Sequence, residues 1–129
     1  MIGVYQRRAF TTAVAKPLIS TGDLEALLDQ KLSSLRVLDA TLPSGRDHSP
    51  NAFWEGNRIP TAQHFDLSGR LSNKESPYPF MLPHADTFRE EMRKLDVRVT
   101  DHIITYDKSN MIYAPRAFWM FKVFGAANV

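Results

Sequence analysis

The chain has 129 residues, of which 43% are hydrophobic and 23% are charged, and its formal net charge is +2. This length suits a single domain with one core, and so small a net charge gives no reason to expect nucleic-acid binding. No apolar run reaches the roughly 18 residues that a membrane-spanning helix needs. Because the sequence contains no cysteine, this polypeptide cannot form disulfides, thiolate metal sites or thiol intermediates.

Residues 1–16 differ in composition from the rest of the chain. They include Arg7, Arg8 and Lys16 together with hydroxyl side chains, and the first acidic residue is Asp23. A basic, hydroxylated and acid-free N-terminus is typical of a mitochondrial transit peptide. We therefore expect a mitochondrial protein, in the matrix or on the matrix side of the inner membrane. A disordered basic tail is the alternative interpretation.

The remaining sequence alternates between helical and extended patterns. Ser20, as an N-cap three residues before Asp23, predicts the start of the first helix, and Pro115 and Gly125 mark the start and the end of the last. In chain order the predicted elements are a helix within 19–32, a strand at 35–40, a loop at 41–51, a brief strand near 62–66, a loop at 68–83, a helix at 85–97, a strand at 102–107 and a helix at 115–125. Strands that alternate with helices need crossover connections, so the pattern predicts an α/β fold with a mainly parallel sheet covered on both faces.

Several short segments carry information beyond secondary structure. They are LISTGDLEALL, VLDATLP, GRD, RIPTAQHFDL, SPYPFMLP, FREEMRKLDV, ITYDKSNMIYAPRAFWMFKVFG and the final NV. Taken together and in this order, they resemble the rhodanese-like sulfurtransferases, and more narrowly the N-terminal domain of thiosulfate and 3-mercaptopyruvate sulfurtransferases. The resemblance implies a rhodanese-like three-layer α/β/α domain at 17–129 with a five-stranded parallel sheet. Family members continue into one more strand where this chain stops at Val129, so we expect a domain that is incomplete at its C-terminal edge.

Asp107 stands at a strand-to-helix junction, where α/β proteins commonly place nucleophiles and bound anions. The resemblance implies sulfur transfer through a cysteine persulfide in a second, C-terminal domain. It places Asp107 at the loop position equivalent to that cysteine, where the N-terminal domains of the family carry aspartate. Because a carboxylate cannot carry a persulfide, we predict no catalytic residue in this chain. An aspartyl nucleophile is the alternative, but the loop 107–114 has no glycine to let its backbone approach a phosphate. We expect Asp107 to accept hydrogen bonds from its own loop and to stabilise the turn.

Ser68 and Phe80 are two further departures from the pattern that the resemblance implies. In the mercaptopyruvate branch, an Asp and a His of this domain assist catalysis across the domain cleft. Ser68 and Phe80 occupy the two matching positions. A neutral serine and an apolar phenylalanine cannot orient or transfer a proton as those side chains do.

Two arginines are candidate contacts for an anion. Arg46 lies in the loop after the first strand, at the sheet end where ligands bind, although a local ion pair with Asp47 is the plainer interpretation. Arg116 lies in the first turn of the last helix, where a cation opposes the helix dipole. We therefore expect Arg116 to have a carboxylate partner, with Asp107 and Asp39 as the candidates.

Aromatic side chains and histidines complete the set of candidates. The aromatic residues of the last helix are expected in the core, and any part of them that stays exposed would form a docking face; they are Phe118, Trp119, Phe121 and Phe124. The histidines are scattered without metal-ligand spacing; they are His48, His64, His84 and His102. We predict no metal site and no cofactor.

Two functions are consistent with these expectations. The first is a catalytically inactive rhodanese-like module that serves as an accessory or structural subunit of a mitochondrial protein assembly. In that case other protein subunits would cover the open sheet edge near Val129 and the N-terminal segment. The second is the N-terminal domain of a two-domain thiosulfate or 3-mercaptopyruvate sulfurtransferase whose cysteine-bearing domain is absent from this chain.

Overall fold

A parallel sheet organises the described part of the chain. A computed structural model of the protein describes residues 16–42 and 56–129. Within them the strands are β1 (Leu35–Asp39), β2 (Gln63–His64) and β3 (His102–Tyr106). They form one sheet in the order β2-β1-β3, and both pairings are parallel. The predicted parallel sheet is confirmed, with three strands in the described residues where the resemblance implies five.

The strand order places β1 at the centre of the sheet, so that among the described strands β3 pairs with β1 on one side only. Val37 of β1 is aligned with Ile104 of β3. On the outer side of β3, the Ile103 N–H donates to the Asn128 carbonyl at 2.9 Å. The last residues of the described chain therefore run beside this strand.

Helices cover both faces of the sheet. They are α1 (Thr21–Asp29), α2 (Ala85–Lys94) and α3 (Ala114–Val123). Because side chains alternate along a strand, Val37 and Ile104 pack with Leu24 of α1, whereas Leu38 and Ile103 face the larger core on the side of α2 and α3. The predicted three-layer α/β/α architecture is confirmed. None of the helices among the described residues is both long and apolar enough to cross a bilayer.

Helix ends follow the local signals in the sequence. The Ser20 hydroxyl accepts the Asp23 N–H at 3.1 Å, which confirms the predicted N-cap of α1. The predicted helix at 85–97 ends earlier, at Lys94, because the chain turns at Asp96 with a left-handed φ of 51°. After α3, Gly125 has φ 93°, a conformation that glycine adopts without strain.

The aromatic residues of α3 divide between the core and the surface. Phe121 packs against Phe65 with a centroid distance of 5.2 Å, and Phe124 stacks on Phe88 at 4.1 Å. Phe118 is only half-buried and Trp119 is exposed. The predicted core position is therefore confirmed for Phe121, with Phe124 packed against that core, and it is wrong for Trp119.

Candidate functional site

The Asp107 carboxylate is held by the backbone of its own loop. Its Oδ1 atom accepts the N–H groups of Ser109 at 2.7 Å and Met111 at 3.1 Å. Its Oδ2 atom accepts those of Tyr113 at 2.9 Å and Ala114 at 2.6 Å, where α3 begins. The expected hydrogen bonds between Asp107 and its loop are thus present, and the four donors form a cradle for an anion that this carboxylate itself occupies.

The cradle favours the charged form of Asp107. Burial by itself would raise the pKa of this carboxyl, but the four backbone N–H donors outweigh burial and hold its pKa below the ordinary value. The group is therefore an anion at neutral pH, stabilised at the N-terminus of a helix. These four donors are already engaged, and the two atoms that accept from them are carboxylate oxygens, which cannot carry a persulfide.

The loop reaches this geometry without glycine. Asn110 and Met111 both adopt left-handed backbone conformations, with φ values of 57° and 59°. Side chains other than glycine, asparagine and aspartate rarely adopt such values. The absence of glycine from the loop 107–114 predicts that its backbone does not approach a bound phosphate closely, and this stays a prediction. The group that the loop N–H groups surround here is the Asp107 carboxylate of the same loop.

A second carboxylate, which sequence reasoning did not assign to the site, lies beneath the loop. Asp39 ends β1 and is fully buried. Its Oδ1 atom accepts the Thr41 N–H at 2.9 Å, while its Oδ2 atom has no hydrogen-bond partner and lies 3.6 Å from Lys108 Nζ. No local signal in the sequence brings Asp39 to this loop, because β1 and β3 are distant in the chain and only their parallel pairing places their carboxyl ends at one edge.

Tyr106 closes the same edge of the sheet. Its hydroxyl oxygen accepts the Ile59 N–H at 3.2 Å. Burial raises the pKa of Tyr106 to about 12; the Ile59 N–H opposes this shift and the Asp39 carboxylate adds to it. This phenol therefore stays protonated at neutral pH and acts as a structural hydrogen-bonding group.

The structure brings Ser68 and Phe80 together. Both line a surface pocket of about 350 Å³ that also includes Lys74 and Tyr78. The Ser68 hydroxyl donates a long hydrogen bond of 3.4 Å to Asp66, and Lys74 Nζ donates to the Ser68 carbonyl at 2.7 Å. Neither the hydroxyl of Ser68 nor the ring of Phe80 is an acid or base near neutral pH, so this pair contributes no proton-transfer group to the pocket.

Arg116 links this pocket to α3. Its guanidinium donates a hydrogen bond to the Phe80 carbonyl and lies over the Trp119 ring, 4.6 Å from the ring centroid. The expected ion pair of Arg116 with Asp107 or Asp39 is wrong. The Asp107 carboxylate accepts hydrogen bonds from loop N–H groups instead, and the cation beside Asp39 is Lys108. The other candidate anion contact, Arg46, lies outside the described residues.

The histidines contribute no metal centre to the described part of the chain. His84 Nε2 lies 3.4 Å from the Glu75 carboxylate on the surface. No group of three histidine, aspartate or glutamate side chains within residues 16–42 and 56–129 is placed to hold a metal ion. His48 lies outside those ranges.

Sequence comparison finds sulfurtransferases as relatives, although no protein-family model matches the chain. The 3-mercaptopyruvate sulfurtransferase of Escherichia coli (strain K12) is 39% identical over 97 residues, which are 74% of this chain and 34% of that protein. The probable 3-mercaptopyruvate sulfurtransferase of Schizosaccharomyces pombe is 37% identical over 110 residues, 84% of this chain and 36% of that protein. The thiosulfate sulfurtransferase of Gallus gallus is 35% identical over 99 residues, 75% of this chain and 34% of that protein.

Solved structures give the same result for the fold. The crystal structure of SseA from Escherichia coli, a 3-mercaptopyruvate sulfotransferase with the rhodanese fold, matches with a TM-score of 0.76 and 33% identity, over 87% of this chain and 42% of that one. The sub-stoichiometric sulfur transferase subunit of yeast mitochondrial complex I matches with a TM-score of 0.75 and 34% identity, over 88% of this chain and 37% of that one. The chain spans about a third of the length of the curated relatives it matches: 34% of the Escherichia coli protein and 36% of the Schizosaccharomyces pombe protein. From these identities and this fold, the chain belongs to the rhodanese-like sulfurtransferase family.

Proposed function

We propose that this chain is a catalytically inactive rhodanese-like module. The observation that carries the proposal is the occupied cradle at the start of α3. Four backbone N–H groups converge on the Asp107 carboxylate, at the position where the family's persulfide cysteine would stand. A persulfide needs a sulfur that can form and break a bond to the transferred sulfur, and the sequence has no cysteine to provide one.

In this proposal the module serves as an accessory or structural subunit of a mitochondrial protein assembly. Its similarity to a sulfur transferase subunit of yeast mitochondrial complex I supports this role, and so does the basic, acid-free composition of residues 1–16. The outer edge of β3 offers a place for contact with other subunits. There Thr105 points its N–H away from β1, and no described residue accepts it.

A second candidate is the N-terminal domain of a two-domain thiosulfate or 3-mercaptopyruvate sulfurtransferase. The observation that favours it is the match to about a third of each enzyme, 34% of the Escherichia coli protein and 36% of the Schizosaccharomyces pombe protein. Sequencing the transcript beyond the codon for Val129 separates the two candidates. A cysteine-bearing second domain in the same reading frame would establish the second candidate, and an immediate stop codon would exclude it.

The proposed inactivity is tested with the purified chain. We expect no sulfur transfer from thiosulfate to cyanide and none from 3-mercaptopyruvate to a thiol acceptor, above the rate without protein. Native electrophoresis of mitochondrial extracts then tests the accessory role, because a subunit should migrate with a larger assembly. Reproducible turnover by the chain would refute the proposed inactivity, and migration as a monomer would refute the accessory role.

A further inference from the structure

We infer that a groove between α2 and the end of α3 binds a small anionic amphiphile, a molecule in which a carboxylate is joined to an apolar chain or ring system. We call it the α2–α3 groove. It is lined by side chains of α2, of the residues between α2 and β3, and of the end of α3, among them Phe88, Arg89, Arg93, Val97, Val99 and Phe124. The inference goes beyond the proposed function and does not depend on it.

The α2–α3 groove has the dimensions of a small-molecule site. Its volume is about 750 Å³, within the roughly 300–1,000 Å³ that is typical of ligand pockets. It follows α2, which has ten residues and is therefore about 15 Å long. A folded protein partner usually buries about 800 Å² on each side of an interface. A short concave site suits a single small molecule better than such a partner.

The floor of the groove is apolar and is already ordered. Phe88 and Phe121 are 7% and 2% exposed. Phe88 meets Phe121 edge-on at a centroid distance of 5.5 Å and stacks on Phe124 at 4.1 Å. Rings that are fixed in this way lose little conformational freedom when a ligand binds. Val99 and Val123 also line the groove and are 57% and 48% exposed, so an apolar chain laid against them removes apolar surface from water.

Arginines stand along the wall that α2 provides. Arg89 and Arg93 lie four residues apart, and therefore on one side of the helix, and both line the groove. Arg89 is paired with Asp86 at 2.6 Å. The Arg93 guanidinium, in contrast, makes no hydrogen bond or ion pair with any other described residue. Five N–H donors beside an apolar floor thus remain available to a ligand.

Charge determines which ligand the groove favours. One carboxylate, Asp96, lines it, but its Oδ2 accepts from Arg36 at 3.0 Å and its Oδ1 lies 3.7 Å from Arg98. Arg93 can donate two parallel hydrogen bonds to a planar carboxylate, and its charge disfavours a cationic head group. The same charge disfavours residues 1–16 as the occupant, because that segment is basic and has no acidic side chain.

The experiment compares amphiphiles that share a decyl chain length and differ in the head group. Decanoate, 1-decanol and decyltrimethylammonium are titrated into the full chain below their aggregation concentrations, and backbone amide NMR reports both the affinity and the location. We expect decanoate to shift the amides of α2, of residues 96–99 and of the end of α3. It should bind at least tenfold more tightly than decyltrimethylammonium, with 1-decanol between them.

Charge reversal tests the contact with the head group. Arg93→Glu should weaken decanoate binding by tenfold or more and leave 1-decanol nearly unchanged, because only the head group meets the guanidinium. The matched control is Lys74→Glu, which changes the formal charge equally on the loop beside Ser68 and should leave both affinities unchanged. Val99→Asp should weaken both ligands, because it places a charge on the apolar lining. Near-UV circular dichroism establishes that each variant is folded.

Several results would overturn the inference. They are equal affinity for decanoate and decyltrimethylammonium, amide shifts outside the α2–α3 groove, and equal effects of Arg93→Glu and Lys74→Glu on decanoate. Co-sedimentation with vesicles of phosphatidylcholine and phosphatidylglycerol separates a free acid from bilayer lipid as the source of the anion. Binding to those vesicles without binding of decanoate would also overturn the inference. None of these results bears on the proposed inactivity, which sulfur transfer by the purified chain would refute.

Discussion

Asp107 stabilises the entry to α3 at the scale of a single side chain. Asp107→Asn keeps the shape but replaces one acceptor oxygen with an NH₂ group that faces two N–H donors. We expect the free energy of unfolding to fall by about 1–2 kcal/mol, the usual range for losing a side-chain cap. Urea denaturation at neutral pH measures the change. Asp23→Asn, at the exposed start of α1, is the control and should cost less, because its carboxylate accepts only the Ser20 hydroxyl.

The same substitution has a defined pH dependence. The folded state holds the pKa of Asp107 below its ordinary value, so the carboxylate's contribution is complete above about pH 4. It is lost as the pH falls through the lower pKa of the folded state. The stability difference between the wild type and Asp107→Asn should therefore shrink in acid. A difference that persists unchanged to the lowest pH at which both proteins fold would contradict the assignment.

The cradle itself can be tested by placing a thiol in it. In Asp107→Cys the four loop N–H groups and the start of α3 would favour a thiolate, so we expect a thiol pKa below the ordinary value of about 8.5. The ultraviolet absorbance of the thiolate reports it directly, because the natural sequence has no other cysteine. Ser68→Cys, on an exposed loop, should titrate close to the ordinary value. Equal pKa values in the two variants would mean that the loop donors do not act on the substituted side chain.

At the scale of elements, α3 has a face that stabilises the fold and a face that does not. Phe121 is 2% exposed and packs on Phe65 and Phe88. Phe121→Ala should cost about 3–5 kcal/mol and unfold much of the chain. Trp119→Ala, on the same helix, should cost less than about 1 kcal/mol in the isolated chain, since the ring is exposed and contacts Arg116. Thermal denaturation compares the two, and a large loss for Trp119→Ala would show that this ring is structural.

Elements defined by local signals were predictable from the sequence. The start of α1 follows from Ser20 and Asp23 because the capping bond spans only three residues. Asp107 and its turn were predictable for the same reason. The partner of Arg116 was not, since it is the carbonyl of Phe80, 36 residues away. The position of this carbonyl depends on how the loop 68–83 folds against α3, and no periodic pattern in the sequence encodes that.

The partial exposure of Trp119, 45% of its surface, was also not predictable from the sequence. Trp119 sits in an apolar run that matches a buried helix, and a single chain does not reveal which side of such a helix meets solvent. The contact between Asp39 and Lys108 was not predictable either, because the two residues follow strands that are distant in the chain. Tertiary packing determines both the exposure of Trp119 and this contact.

Across the whole molecule, stability should fall from the centre of the sheet to its outer edge. Alternation along β3 directs the Ile104 N–H toward β1 and the Ile103 and Thr105 N–H groups outward. Ile103 finds the Asn128 carbonyl at 2.9 Å, whereas no described residue accepts from Thr105. Amide exchange depends on the free energy of opening each hydrogen bond. The three neighbouring amides therefore report, within one strand, on the centre, the partly covered edge and the open edge.

Native-state hydrogen exchange measured by NMR on the isolated chain tests this gradient. We expect the Thr105 amide to exchange at least about 100-fold faster than that of Ile104, a difference of some 2.7 kcal/mol in local opening, with Ile103 between them. The measurement is made at two protein concentrations, because self-association along β3 would protect Thr105 in a concentration-dependent way. Equal protection of Thr105 and Ile104 in the dilute sample would mean that the outer edge of β3 is already covered, and a partner for that edge would then be unnecessary.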